Sequence, residues 1–347
     1  MVAITPQTSL TARIGLGMAA LGRPGYINLD RSSIFGKDTP RNESFMQERA
    51  DAVLSKAFDL GVTWFDCARS YGLSEKFVGE YLRKRGVAPA VGGDKGGGET
   101  AVVSSKWGYT YVADWKVSLE AGEPHEIKEH TVENFLKQIE ETTTYVGEYI
   151  NLYQIHSATF DSGVLTDTRV HEALAKCKSE RGWNIGLSVS GPQQNDIIRT
   201  AMTVTTQDGN RLFDSVQCTY NVLEQKPHDA LVEASSSGMD VIIKEGLANG
   251  RALRHPFLTD ACRRWGGGDN ALVTPDQLAL ACVLAQPFSP RVLSGAVTPE
   301  QLESNCKAVN LVDRLVEGEG DLLREIMKGC VMDSEDYWSE RSDLSWN

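Results

Sequence analysis

A chain of 347 residues is long enough for two average domains or for one large α/β barrel. Hydrophobic residues make up 41% and charged residues 24%, and 35 basic against 47 acidic side chains leave a net charge of −12. That acidity, with no basic stripe, sets nucleic acid and anionic membrane surfaces aside as partners. The opening MVAITPQTSLTAR has neither an apolar signal core nor an Arg-rich amphipathic pattern, and no stretch approaches membrane-span length. Seven scattered cysteines without a CxxC pair read as buried thiols of a cytoplasmic protein.

Strand-like and helix-like segments alternate along the chain. The predicted strands are ARIGLGMAAL (12–21), VTWFDCA (62–68), AVVSSKW (101–107), INLYQIH (150–156), WNIGLSVS (183–190), SVQCTYN (215–221), DVIIKEG (240–246) and RVLSGAV (291–297). Apolar residues at 3.6-residue spacing predict helices over 45–60, 73–85, 131–146, 170–179, 192–202, 227–236, 274–285 and 299–316. Thr274-Pro275-Asp276-Gln277 and Thr298-Pro299-Glu300-Gln301 carry helix-start signals, and Gly61, Gly147, Gly182 and Gly238 stand where C-terminal caps stand.

Eight βα units predict a (β/α)8 TIM barrel in a single domain, with the barrel over about 12–315 and a tail over about 318–347. An open doubly wound sheet is disfavoured, because GLGMAALGRPG after the first strand is not a GxGxxG turn opening into a helix. Long loops follow strands 1 (22–44), 3 (108–130) and 7, on the C-terminal face where they border a pocket. The Gly-rich 89–100 falls on the opposite face and is not a P-loop. HEIKEH (125–130) spaces its histidines five apart, which is no HExxH site, and both are expected at the surface. Neither a GxSxG elbow nor a metal-ligand cluster appears.

Four polar residues lie at the ends of successive strands: Asp66, Tyr71 just beyond it, Lys106 and His156. A tyrosine serves as a general acid when its pKa, about 10 unperturbed, moves towards the working pH, and a nearby ammonium moves it that way. A shift of about three units needs roughly 4 kcal/mol of differential interaction. On this reading Asp66 keeps Lys106 charged and oriented, and His156 hydrogen-bonds the substrate oxygen. The set suits protonation of a developing alkoxide during hydride delivery to a carbonyl.

GVTWFDCARSYGLSEKFVGEYL, VVSSKWG and INLYQIH resemble the Asp, Tyr, Lys and His motifs of the aldo-keto reductase superfamily, and GLSVS, VQCTYN, GLANG and GAVTPEQLESN resemble its cofactor segments in order. The resemblance implies a barrel that binds NAD(P)(H) without a Rossmann fold and acts on a small carbonyl or alcohol substrate, with Tyr71 as proton donor or acceptor assisted by Lys106, Asp66 and His156. It implies that Ser188 and Gln217 hold the carboxamide, that Gly246, Leu247 and Gly250 run beside the pyrophosphate, and that Gly295, Ala296, Thr298, Gln301 and Asn305 surround the adenosine end, with Arg251 as an alternative partner for a 2′-phosphate. Trp107, beside Lys106, is expected to line the substrate pocket.

The chain departs from that pattern at three places. Val189 replaces a common Asn, Lys244 stands where an aromatic commonly stacks on the nicotinamide, and Gly295 and Gln301 stand where Lys and Arg often bind a 2′-phosphate. Lys244 is therefore a candidate for a cofactor phosphate, an acidic substrate or a pairing with Glu245. NADP(H) is expected by the family's habit, with NAD(H) the alternative that the missing basic residues leave open. Two further readings follow: a nucleotide-binding regulator similar to potassium-channel β subunits, and an NAD-dependent sugar dehydrogenase. The sequence assigns neither a substrate nor an oligomeric state.

Overall fold

The computed structural model describes residues 11–29, 32–36, 39–89, 99–120, 122–265, 273–318 and 320–347. Eight parallel strands form at the eight expected places: β1 (Ile14–Gly17), β2 (Trp64–Asp66), β3 (Thr100–Trp107), β4 (Ile150–Ala158), β5 (Asn184–Val189), β6 (Ser215–Thr219), β7 (Asp240–Lys244) and β8 (Arg291–Ser294). Each pairs in parallel with the next, and β1 pairs with β8, so the sheet closes into a barrel. A two-residue strand, Ala88–Pro89, adds to the start of β3. Most of the Gly-rich 89–100 segment lies outside the described residues.

The helices packed around the barrel are α1 (Glu43–Asp59), α2 (Ser74–Arg85), α3 (Val132–Val146), α4 (Thr168–Arg181), α5 (Gln194–Thr203), α6 (His228–Ser236), α7 (Pro275–Leu284) and α8 (Pro299–Cys306). Local chemistry sets their ends. Asn42 and Thr131 accept hydrogen bonds from backbone N–H groups in the first turns of α1 and α3, and Thr298 accepts from Gln301 N at 3.2 Å in α8. Gly182 ends α4 in the left-handed region at φ 69°. Gly147 differs from the expected left-handed cap: at φ −52° it carries α3 into a 3-10 turn. The helix expected over 299–316 is broken, with α8 followed by Val309–Asp313 and a π turn at Arg314–Gly318.

Strand alternation sorts the core into two layers. Trp64, Val102, Leu152, Ile242 and Leu293 form one apolar cluster inside the barrel, while their neighbours Phe65, Val103, Tyr153, Ile243 and Val292 join the large cluster beneath the helices. Stepping two residues along from the interior positions gives Asp66, Ser104 and Lys106, Gln154 and His156, and Lys244. The same interior phase on β5 and β6 gives Ser188 and Gln217, which face each other in register. The barrel is thus apolar at its base and polar at its C-terminal mouth.

Elements outside the eight units gather at that mouth. After β3 the chain makes a short hairpin, Tyr109–Tyr111 against Glu126–Lys128. The tail adds helices Gly320–Cys330 and Ser334–Ser342. The tail then pairs with the loop after β1: Tyr26 and Asn347 exchange backbone hydrogen bonds at 3.2 Å, and Ile27 bridges to Trp346. No described helix is long and apolar enough to cross a membrane. All seven cysteines are buried free thiols.

Candidate active site

Asp66 and Lys106 meet inside the mouth, 2% and 0% exposed. Lys106 Nζ donates to Asp66 Oδ2 at 2.5 Å and to Cys67 O at 2.9 Å. Asp66 Oδ1 accepts from Ser104 Oγ at 2.7 Å and Gln217 Nε2 at 3.1 Å, so the carboxylate is fully engaged. A buried ion pair is stable only with such extra hydrogen bonds.

Tyr71 follows in the turn between β2 and α2, buried and facing the same mouth. Its neighbour Gly72 lies at φ 59°, and a Cβ there would come within 2.5 Å of Gly22 O, so a glycine after this tyrosine is a packing requirement. Lys106 Nζ lies 4.7 Å from the Tyr71 ring centre, and His156 meets that ring edge-on at 5.4 Å. Among the described residues the Tyr71 hydroxyl has no hydrogen-bond partner. His156 Nδ1 is 3.2 Å from Ser70 Oγ.

Electrostatics correct one expectation. The Tyr71 phenol sits well above its ordinary value, first because it is buried and then because Asp66 is close; Arg23 opposes the shift. The Lys106 ammonium, expected to lower it, is held by Asp66 instead. Burial, followed by Lys106 and Lys244, holds His156 well below its usual range, so its imidazole is neutral. The structure therefore presents a protonated phenol and a neutral imidazole.

Several residues at the mouth gave no signal in the sequence. Arg23 is 2% exposed, pairs with Glu126, donates to Ser70 O at 2.8 Å and lies 5.2 Å from the Tyr71 ring centre and 4.7 Å from that of Trp346. Arg341 of the tail binds Glu245 through two nitrogens, and Tyr337 Oη accepts from Asn221 Nδ2 at 3.0 Å. Burial alone would raise the Glu245 carboxyl, but Arg341 and Lys244 outweigh it and hold it at about 2. The histidines of HEIKEH are not both surface residues. His130 is buried against Trp107 and Tyr109, contacts His156 O at 2.8 Å and is pushed by burial to about 4. The hairpin folds it back under the barrel end. His125 stacks on Trp346 at 3.9 Å.

From the Tyr71 end a cleft of about 570 Å³ runs to the start of α8. Of the expected cofactor residues, Gln217, Lys244, Gly246, Leu247, Gly250, Gly295, Ala296, Gln301 and Asn305 line it. The others stand elsewhere. Ser188 Oγ accepts from Ser157 N at 2.8 Å. Arg251 donates to Glu340 and Tyr337 O, with its guanidinium 4.1 Å from the Tyr337 ring centre. Thr298 caps α8. Trp107 points outward, because it follows the inward Lys106 on one strand, and it packs on Phe135 at 5.0 Å instead of lining the pocket. Lys244 pairs with neither Glu245 nor any other described carboxylate; it donates to Ser190 Oγ at 2.9 Å and Thr219 Oγ1 at 2.7 Å. Gln217 Oε1 and Asn249 Oδ1 are buried without a partner among the described residues and belong to residues that line the cleft. Such orphaned acceptors fit a ligand that donates hydrogen bonds. No described group of three His, Cys, Asp or Glu side chains has the arrangement of a metal site.

The far end of the cleft has a different character. Asp276, Glu300, Gln301, Ser304 and Asn305 line it with the single cation Arg254 among the described residues. Asn305 donates to Asp276 Oδ2 at 3.0 Å and accepts from Ser294 Oγ at 2.9 Å.

A closed parallel barrel with its polar groups and cleft at the C-terminal mouth defines a (β/α)8 barrel protein, not a doubly wound open sheet. The model of the Aldo/keto reductase family matches residues 13–327, so the chain belongs to that family and is an NAD(P)-dependent oxidoreductase. It is 25% identical over 344 residues to the NADH-specific methylglyoxal reductase of Escherichia coli (strain K12), covering 91% of this chain and 94% of that protein. An uncharacterized oxidoreductase of Bacillus subtilis (strain 168) is 22% identical over 293 residues, with 79% and 86% covered. Among solved structures, the holo form of an aldo-keto reductase from Bacillus halodurans aligns with a TM-score of 0.61 at 18% identity, over 93% of this chain and 94% of that one. A Klebsiella pneumoniae aldo/keto reductase in complex with NADP and acetate aligns at 0.58 and 19%, over 91% of each chain.

Proposed function

We propose that this protein reduces an aldehyde or ketone to the alcohol with a reduced nicotinamide cofactor, and that Tyr71 gives the proton. One observation carries the reading: the Tyr71 hydroxyl has no described hydrogen-bond partner and its ring lies against the buried Lys106–Asp66 pair, in the residue set that lines the cleft.

In this mechanism the substrate oxygen accepts a hydrogen bond from Tyr71 Oη. Tyr71 is protonated across the neutral range, as an acid must be. As negative charge develops on the oxygen the proton moves to it, and Arg23, the cation that opposes the upward shift at Tyr71, stabilises the phenolate left behind, beside the Lys106 ammonium that lies against the ring. Asp66 fixes the ammonium, and Ser104 and Gln217 fix Asp66. Neutral His156 has a ring N–H to offer, and its ring is held by the Ser70 Oγ contact at Nδ1. When bound, the dinucleotide supplies the hydride. Gln217 Oε1 would accept from its carboxamide, the Gly246–Gly250 segment would hold its phosphates, and the N-terminal end of α8 would hold its adenosine end.

NAD(H) suits the far end better than NADP(H). A 2′-phosphate would meet Asp276 and Glu300 with, among the described residues, only Arg254 to offset them, and the E. coli relative is named NADH-specific. The same feature favours, as a second reading, oxidation of a sugar with NAD. Measuring NADH and NADPH oxidation over a panel of aldehydes and ketones, and NAD⁺ reduction over alcohols and sugars, tests both readings. Carbonyl reduction faster with NADH is expected. Tight cofactor binding with no turnover in either direction would make the protein a nucleotide-binding regulator instead.

A further inference from the structure

Around the Tyr71 end of the cleft, charges come in pairs: Lys106 with Asp66, Arg23 with Glu126, Arg341 with Glu245. Lys244 is the exception. Among the described residues no carboxylate reaches it, and its ammonium donates to two neutral hydroxyls, one at the end of β5 and one at the end of β6. Glu245, next in the chain, bends away in the left-handed region at φ 54° and gives its carboxylate to Arg341. Its one link towards Lys244 runs through Thr219 Oγ1, at 3.4 Å. Ser190 and Thr219 thus hold an unbalanced positive charge at the mouth, in the residue set that includes Gln217, Asp66 and Tyr71.

A hydride donor must lie within contact of a carbonyl carbon whose oxygen is held by Tyr71, which puts a nicotinamide ring at this end. That ring is cationic when oxidised and neutral when reduced. We propose that the Lys244 ammonium makes the cleft distinguish the two redox forms, holding the reduced dinucleotide more tightly than the oxidised one and so hastening release of the spent cofactor. The inference rests on the reading that a nicotinamide dinucleotide occupies the cleft. Like charges in a partly desolvated site repel far more strongly than in water, whereas the neutral ring meets no such penalty. A stacked aromatic side chain at this place would carry no charge and would not discriminate in this way.

The groups facing Lys244 also set a pH window. Burial lowers the ammonium to about 8; Glu245 on its own strand pulls it back up, while Arg341 from the tail and Lys106 from β3 press it down. Cys218 on β6 is raised by burial and stays a thiol, and His156 on β4 is neutral. Lys244 is therefore the group whose charge disappears as the pH rises through about 8.

The test is calorimetric titration of NADH and NAD⁺ into the native protein, Lys244→Met and Lys244→Arg. The ratio of the NAD⁺ to the NADH dissociation constant is expected to fall at least tenfold in Lys244→Met, to survive in Lys244→Arg, and to shrink in the native protein between pH 7 and 9. An unchanged ratio in Lys244→Met, equal weakening of both forms, or a native ratio flat across that pH range would overturn the proposal. The native pH series decides the matter even if Lys244→Met does not fold. Failure of the native protein to bind either form would remove the dinucleotide reading itself.

Discussion

The two ends of the cleft are built on opposite principles. At the Tyr71 end the charged groups are buried or half-buried, and among the described residues three of the four cations are bound to a carboxylate within the chain itself. At the α8 end the lining is glycine, amide, hydroxyl and partly exposed carboxylate, with one exposed arginine. The first end is preorganised, so the charges that matter in the transition state are in place before substrate arrives. On the proposed reading, the second would hold its ligand by neutral hydrogen bonds and solvent-screened charge and would decide the choice of cofactor. Chemistry and cofactor preference are therefore separable by mutation.

The sharpest way to break the first end is Lys106→Met. It leaves Asp66 buried with its charge unpaired, at a cost of about 3–5 kcal/mol, and removes the ammonium that lies against the Tyr71 ring. A large fall in the urea midpoint and a loss of carbonyl reduction of at least a hundredfold are expected.

Next comes Arg341→Ala, which removes the tail's ion pair with Glu245 at the mouth. Glu245 is held at about 2, below its unfolded value of 4.5. A depressed carboxyl contributes stability that is full above the unfolded value and is lost as the pH falls through the folded one, here about 3 kcal/mol lost between about pH 4.5 and 2. Urea titrations along that acid limb should show this loss in the native protein and a shallower slope in Arg341→Ala.

The smallest effect belongs to the second end. Glu300→Lys exchanges one exposed charge and should tighten NADPH about tenfold, worth about 1.4 kcal/mol, with the NADH constant unchanged within about threefold and the gain reduced by salt. NADPH affinity that does not move would place the adenosine end elsewhere.

The barrel was legible because its signals are local. Continuous apolar runs such as INLYQI mark strands buried on both faces, and Thr298 marks a helix start through its own side chain. Asp66, Tyr71, Lys106 and His156 came together because strand phase alone brings strand-end residues to one mouth. Phase, not adjacency, also explains Trp107, which shares a strand with Lys106 and faces the opposite way. The hairpin at Tyr109–Tyr111 and Glu126–Lys128 escaped because three-residue, partly exposed strands carry no periodic pattern. Arg341 with Glu245, 96 residues apart, and Arg23 with Glu126, 103 apart, are tertiary pairings that no spacing reveals. His130 looked like a polar loop residue, and only the hairpin buries it. The Tyr71 acidity was misjudged for a related reason: the sequence places an ammonium near the phenol but does not show how deeply the ring is buried, and burial is the larger cause.

Tyr71→Phe bears most directly on the whole account. Steady-state carbonyl reduction and dinucleotide titration should be measured side by side on the native protein and the variant. The account predicts a fall in turnover of about 10² to 10⁴, with the dissociation constant for NADH kept within about threefold. Near-native turnover in Tyr71→Phe would contradict it.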